Sequence, residues 1–317
     1  MRVYRNVVFV VELLLLLGGA DRLYAGVFPD PSMFGNPDRV SGIPGSVSDI
    51  TVTPDGGTMV YCAFNSTWRL YTATRNPLTN VWGDTRALDF PSSYNECPSL
   101  SPDGRWLFYS DDTGSGRLMV AERDASGTWG NPREIRTNLQ APQSGFFDGR
   151  NLYVSESTWR TGDSGSYLWH ELFSGVYDPT GTSPPELLPV ASLTLPYPAD
   201  FAGKQIVNNG NTMLAISTPD AFSARWDIFT TNRDATTGEW STPQRPDWTI
   251  GGQGDAAGSP GAWFCEATQT MYFVKDYQLY ESQVVPEPST LVMWSLFGVC
   301  SAGCFAWRRI VSQKHSA

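Results

Sequence analysis

The 317 residues are 41% hydrophobic and 13% aromatic, enough apolar matter for a sizeable core, which excludes a disordered chain. Only 17% are charged, while Gly and Pro number 30 and 23, a balance that suits many short strands joined by turns and excludes a helical bundle. The formal net charge is −10, and no cluster of Lys and Arg is present to displace phosphate counterions, so nucleic acid is excluded as a partner.

In chain order, Arg2 and Arg5 precede a largely apolar run over 7–17, interrupted by Glu12 and followed by small residues, with candidate cleavage points after Ala20 and Ala25. This order predicts a secretory signal peptide over 1–25, since the run is short for a membrane-spanning helix. No cysteine stands at either point to accept a lipid.

The next segment, Phe34-Gly35-Asn36-Pro37-Asp38-Arg39-Val40, closely matches Trp129-Gly130-Asn131-Pro132-Arg133-Glu134-Ile135 far downstream. Between and beyond these lies an internal repeat. Thr53-Pro54-Asp55-Gly56 followed by Gly57-Thr58-Met59-Val60-Tyr61 returns as Ser101-Pro102-Asp103-Gly104 followed by Arg105-Trp106-Leu107-Phe108-Tyr109. A third copy is Phe147-Asp148-Gly149-Arg150-Asn151-Leu152-Tyr153, and weaker ones begin at Asn209 and Ala267.

In the strong copies the Asp-Gly pair is expected to supply positive φ angles for a tight hairpin, and the apolar run after it reads as a strand packed on both faces. A third strand follows at Arg69 to Arg75, Arg117 to Arg123 and Asp227 to Arg233, and a fourth is announced by Trp82, Trp129 and Trp240. Four antiparallel strands in about fifty residues make one propeller blade.

The predicted fold is therefore all-β: a five-bladed β-propeller of four-stranded antiparallel blades over 26–285. The fifth unit lacks an outer strand, so the strand at Phe34 is expected to complete it and close the ring, which removes an unpaired edge.

The stretch from Asn95 to Gly104, with its following strands, resembles the TolB-type, WD-like propeller repeats of periplasmic proteins. The resemblance extends over about residues 34–283 and implies the same propeller fold. TolB proteins carry a separate N-terminal domain for which this chain has no room, so their envelope role is not implied.

Propellers bind ligands at the channel mouth, built from the starts of the innermost strands. Asp49, Glu96, Gln143, Asp200 and Asp255 fall just ahead of or within the five inner strands and predict a mainly acidic ring suited to hydrogen-bonding a sugar or holding a cation. Solvated loop residues without a shared site are the plainer alternative. Paired carboxylates also allow a second reading, a glycoside hydrolase, though no spacing singles out an acid and a base.

His170 is the sole histidine between the two end segments, so a Ser-His-Asp or Cys-His catalytic group would rest on one imidazole, and a structural role is expected. Cys62, Cys97 and Cys265 have no zinc-ligand spacing and predict no disulfide framework. No metal site or cofactor is expected. The loops Asp111 to Gly116 and Thr161 to Gly165 have a composition compatible with weak calcium binding, but ordinary hairpin loops explain them. Trp68, Trp159, Trp226 and Trp263 are expected to wedge between blades, with stacking on sugar rings as the alternative.

At the end, Val285, Pro286, Glu287, Pro288, Ser289 and Thr290 precede an uncharged stretch over 291–307 and then Arg308 and Arg309. The prolines break regular structure, the stretch is long enough to span a bilayer, and the arginines would stay cytoplasmic. Cys300 and Cys304 lie one helical turn apart within that stretch, which small-residue packing explains.

This order resembles the PEP-CTERM sorting tails, here over 286–317. The resemblance implies an exosortase that cuts near Pro286 to Pro288, transient anchoring in the inner membrane of a Gram-negative bacterium, and delivery to the cell surface or extracellular matrix. The expected function is a non-enzymatic module binding extracellular polysaccharide or a surface protein, with a glycosidase and a periplasmic TolB-like scaffold as alternatives.

Overall fold

The computed structural model describes residues 29 and 33–285, apart from 93, 112–115, 163–164, 191–192, 194–199, 208–209, 219–226 and 245–260, with backbone alone for 158–162, 165–169, 200–203, 217–218 and 227. The signal segment 1–25 and the uncharged stretch 291–307 lie outside these residues. Among the described residues, nineteen strands form five antiparallel sheets.

Blade one contains β2 (Ser46–Val52), β3 (Thr58–Asn65), β4 (Thr67–Arg75) and β5 (Trp82–Ala87). Blade two contains β6 (Asn95–Leu100), β7 (Trp106–Asp111), β8 (Arg117–Arg123) and β9 (Trp129–Glu134). Blade three contains β10 (Pro142–Phe147), β11 (Asn151–Gly162), β12 (Gly165–Val176) and β13 (Leu188–Pro189). Blade four contains β14 (Asp200–Val207), β15 (Thr212–Thr218) and β16 (Asp227–Asn232), with isolated bridges Thr230↔Gln244 and Arg233↔Trp240 where a fourth strand would run. Blade five runs β17 (Ala262–Cys265), β18 (Thr270–Lys275), β19 (Gln278–Gln283) and last β1 (Asp38–Arg39).

The inner strands β2, β6, β10, β14 and β17 each contact the next, and β17 returns to β2, which closes a ring of five. The second strand of a blade is the most apolar because it is covered on both faces: β7 is buried along its whole length, and Met59, Val60, Tyr61 and Cys62 of β3 are fully enclosed.

The repeated turn works differently from the expectation. Only the glycines adopt positive φ, at +71° for Gly56 and +68° for Gly104. The aspartates instead act as acceptors: Asp55 Oδ1 takes the Thr53 hydroxyl at 2.5 Å and the Gly57 amide at 2.9 Å, while Thr53 Oγ1 accepts the Thr58 amide at 2.9 Å. Ser101 and Asp103 repeat the arrangement, with Trp106 N donating to Ser101 Oγ at 2.9 Å. The repeated spacing of Ser or Thr two residues before Asp is thus a hydrogen-bonded turn of five loop residues, and not a two-residue hairpin.

The tryptophans that announce the fourth strands hold blades together. Arg75, Arg123 and Arg233 lie over the rings of Trp82, Trp129 and Trp240 at 5.8, 4.8 and 4.9 Å. Each such stack contributes about 0.5–2 kcal/mol, more as water is excluded. Trp82 then meets Tyr272 of blade five edge-on at 6.0 Å, and Trp240 meets Tyr153 of blade three at 6.5 Å. Arg233 also donates to the Tyr153 hydroxyl at 2.8 Å. Of the four tryptophans expected to wedge, Trp263 is buried and Trp68 half-buried, while Trp226 and the Trp159 side chain lie outside the description.

The N-terminal strand closes the ring as expected. Asp38 pairs with Glu281 and Arg39 with Tyr280, and a further bridge joins Phe34 to Val284. Gly35 N donates to Gln283 O at 2.9 Å and Ser282 Oγ to Gly35 O at 2.7 Å. Phe34 is buried edge-on against Phe264 at 6.0 Å.

Deleting residues 26–45 is expected to unfold or aggregate the protein, and Phe34→Ala alone to destabilise it by about 3–5 kcal/mol. Thermal unfolding measures both, and an unchanged melting curve in the deletion would exclude ring closure as a source of stability.

Candidate functional site

Four of the five inner strands carry a bulge at a matching position. The register shifts between Val47 and Asp49 in β2, Glu96 and Ser99 in β6, Pro142 and Ser144 in β10, and Gly203 and Gln205 in β14. An extra residue bends the strand and re-aims a side chain, and here the extra residues include Ser48, Cys97, Gln143 and Lys204. Cys97 takes a φ of +51° to do so.

The most consequential of these is Lys204. Its Nζ lies 2.5 Å from Asp49 Oδ2, joining blade four to blade one although blade five stands between them in the ring. Both side chains are largely removed from water, at 10% and 4% exposure. Asp49 Oδ1 accepts the Ile50 amide at 2.8 Å, so both carboxylate oxygens are occupied.

Blade five accommodates the pair by having no side chain at Gly261. A Cβ there would come within 2.6 Å of both the Asp49 Cα and its Oδ1, and Gly261 N donates to Ser48 O at 3.2 Å. Next along, Gln205 fastens β14 to β17 with both ends of its amide: Nε2 donates to Phe264 O and Oε1 accepts Phe264 N, each at 2.8 Å.

Burial by itself would lower the Lys204 pKa. The charge of Asp49, the neighbouring Cys97, the hydrogen bond to Asp49 and the charge of Glu96 outweigh it and raise the ammonium above the ordinary lysine range. A raised lysine contributes stability that is complete below its ordinary pKa and lost only as pH climbs through the folded value, so the pair stays formed through neutral and mildly alkaline pH.

Burial also pushes the Cys97 thiol up to about 12, with Lys204 opposing and Asp49 and Glu96 adding to the rise. The Cys62 thiol is raised too, chiefly by burial, and points its Sγ at Asn95 O over 3.3 Å. Cys62, Cys97 and Cys265 are all free thiols, and the first two are held protonated, the state in which a thiol is a poor nucleophile.

Of the five residues expected to ring the channel, Asp49 and Glu96 both act on Lys204. Gln143 is the half-buried bulge residue of β10. Asp200 opens β14 opposite Thr218, nearer the strand start than Lys204, and its side chain is not described. Asp255 lies outside the described residues. His170 sits in the β11–β12 ladder opposite Ser157.

Lys204 escaped a reading that looked for carboxylates. The available signal was its rarity, since it is one of three lysines in the chain, placed on an inner strand just before the fourth repeat.

At the other end of the inner strands lies a cavity of about 880 Å³, whose walls include Val52, Thr53, Asp148, Gln205, Trp263 and Glu266. It is formed by strand ends and the turns after them, whereas the expected mouth was at strand starts. Among the described residues no group of three or more His, Cys, Asp and Glu is placed to hold a metal ion. In the first loop considered for calcium, Asp111 is ion-paired with Arg117, and residues 112–115 lie outside the description.

Lys204→Met is expected to leave Asp49 buried and unpaired and to destabilise the protein by about 3–5 kcal/mol. Lys204→Met with Asp49→Leu should recover most of the loss. Chemical denaturation measures this double-mutant cycle, and a single variant as stable as the parent would show that the pair contributes nothing.

No curated protein matches the chain. Among solved structures it is similar to TolB from Acinetobacter baumannii at 12% identity and a TM-score of 0.42, covering 74% of this chain and 54% of that one, so it spans about half of that protein's length. It is also similar to a putative TolB from Agrobacterium tumefaciens at 14% identity and a TM-score of 0.48, covering 78% of this chain and 79% of that one. The β-propeller domain of the Trilobed protease from Pyrococcus furiosus is matched at 12% identity and a TM-score of 0.37, covering 72% and 64%. Residues 284–310 match the PEP-CTERM protein-sorting motif, which implies exosortase processing and marks the chain as exported and sorted to the surface.

Proposed function

We propose that this chain is a surface or extracellular-matrix propeller, released by an exosortase near Pro286 to Pro288, that acts as a non-enzymatic module binding glycan or protein. The observation that carries this reading is the position of the sorting motif. It begins at Val284, the residue that bridges to Phe34, and Val285 N donates to Met33 O at 2.7 Å. The signal for release therefore starts where the closed ring ends, and cutting near Pro286 removes the tail without opening the disc.

The state of the channel favours binding over catalysis. A general acid or nucleophile must exchange a proton or attack a substrate atom, and Asp49 is committed on both oxygens to Lys204 and Ile50. Cys62 and Cys97 are kept as thiols.

In an exosortase-bearing host the full chain is expected to appear outside the cell in shortened form, while Pro286→Ala with Glu287→Ala holds it in the membrane at full length. Fractionation and mass measurement decide the matter. Release of the double variant at the same mass, or retention of the unaltered protein in the periplasm, would overturn the exosortase reading. Glycan hydrolysis by the purified protein that disappears in Asp49→Asn or Glu96→Gln would replace the binding module with a glycosidase.

A further inference from the structure

On the face where the inner strands start, two hairpin tips present an unusual surface. Phe64, next to last in β3, and Trp68, opposite it on β4, meet edge to face with ring centroids 5.3 Å apart and planes at 61°. Tyr277, at the β18–β19 turn of blade five, brings its ring to 6.3 Å from Trp68. Phe64 and Tyr277 remain 49% and 40% exposed although each touches Trp68. The three rings form one aromatic shelf across the junction of blades one and five.

The shelf is held at a backbone cost. The turn between Lys275 and Gln278 has two residues, Asp276 and Tyr277, both left-handed at φ +51° and +57°. Asn-Gly is the sequence this turn favours, and a bulky aromatic residue rarely adopts that conformation. Tyr277 is further pinned by its carbonyl, which accepts Val47 N at 2.9 Å where β2 begins. Asn65, Ser66, Arg69 and Asp276, next to the three ring residues in the chain, are exposed.

We propose that Phe64, Trp68 and Tyr277 form a stacking platform for a neutral hexopyranose chain, a site that gives a specific ligand class to the surface-delivered binder on which it rests. The axial C–H bonds of a pyranose carry partial positive charge and fit the negative face of an aromatic ring, while its hydroxyls need hydrogen-bonding groups at the rim. The shelf supplies both.

Its size also selects the occupant. Two half-exposed rings and the free part of Trp68 amount to roughly 200–250 Å², which suits one or two sugar units and falls well below the ~800 Å² per partner of a stable protein interface. Its direction fits delivery as well. β19 carries the chain away from Tyr277 through six residues, about 20 Å, before the sorting motif begins, so the shelf lies at the opposite end of that strand from the tail.

The test uses the full chain in a detergent without a sugar headgroup, titrated with cellohexaose, maltohexaose and chitohexaose and followed by tryptophan fluorescence and calorimetry. At least one should bind saturably, and Trp68→Ala and Tyr277→Gly should each weaken it tenfold or more. Tyr277→Gly should melt no lower than the parent, because glycine relieves the left-handed turn, and Leu78→Ala at another exposed position should bind as the parent does. Binding that survives both ring removals overturns the platform but leaves a glycan-binding propeller that uses its channel face. A folded parent that binds no hexasaccharide, or a self-association that the same variants abolish, overturns the platform as a sugar site while the exosortase assay still decides delivery.

Discussion

The pairing of β1 with β19 turns five separate sheets into a closed disc, and the rest of the molecule depends on it. Without it blade five would end on an exposed edge, β17 would lose its fixed distance to β2, and Gly261 would no longer face Asp49. The hydrogen bonds from Gly35, Val40 and Ser282 make this closure a zip between residues 239 to 248 positions apart, reinforced by the burial of Phe34 on Phe264. Removal of an exposed edge also matters for an exported protein, since open edges template aggregation.

Within the disc, polar and apolar cohesion are divided by radius. Toward the rim, arginine at the end of a third strand covers the tryptophan of the fourth, and that tryptophan leans on a tyrosine of the preceding blade in blades one and four. Toward the axis, bulges aim polar side chains at one another, and Lys204 and Asp49 bind blades that are not neighbours. A buried ion pair is a weak source of net stability because desolvation opposes it, but its geometry is exacting. It holds blades one and four in register across Gly261 of blade five, which has no side chain to intervene.

The two faces are consequently different chemical surfaces. One has the strained aromatic turn at Tyr277 beside the start of β2; the other has the cavity that Trp263, Glu266 and Val284 help to line, next to the sorting motif. The strand β19 connects them, so the direction of one strand orients the whole disc relative to its processing site.

Much of this was legible in the chain because its determinants are local. The Thr or Ser, Asp and Gly of the first two turns, the weaker copies of the apolar run after them, the tryptophans of the fourth strands, and the likeness of the Phe34 segment to the Trp129 segment predict five antiparallel units and a ring closed by the first strand. The sorting motif is equally local, a short order of prolines, uncharged residues and arginines. What only the tertiary structure decided involves residues brought together from distant units. A search for acids finds Asp49 and Glu96 but has no reason to pair them with Lys204, because a bulge shifts the register by one and no sequence pattern marks it. The aromatic shelf is invisible for the same reason: no sequence pattern brings Tyr277 to Trp68, and only the left-handed turn and the junction with blade one place it there. Periodicity specifies which residues form a strand, whereas ring closure and local bulges determine which side chains meet.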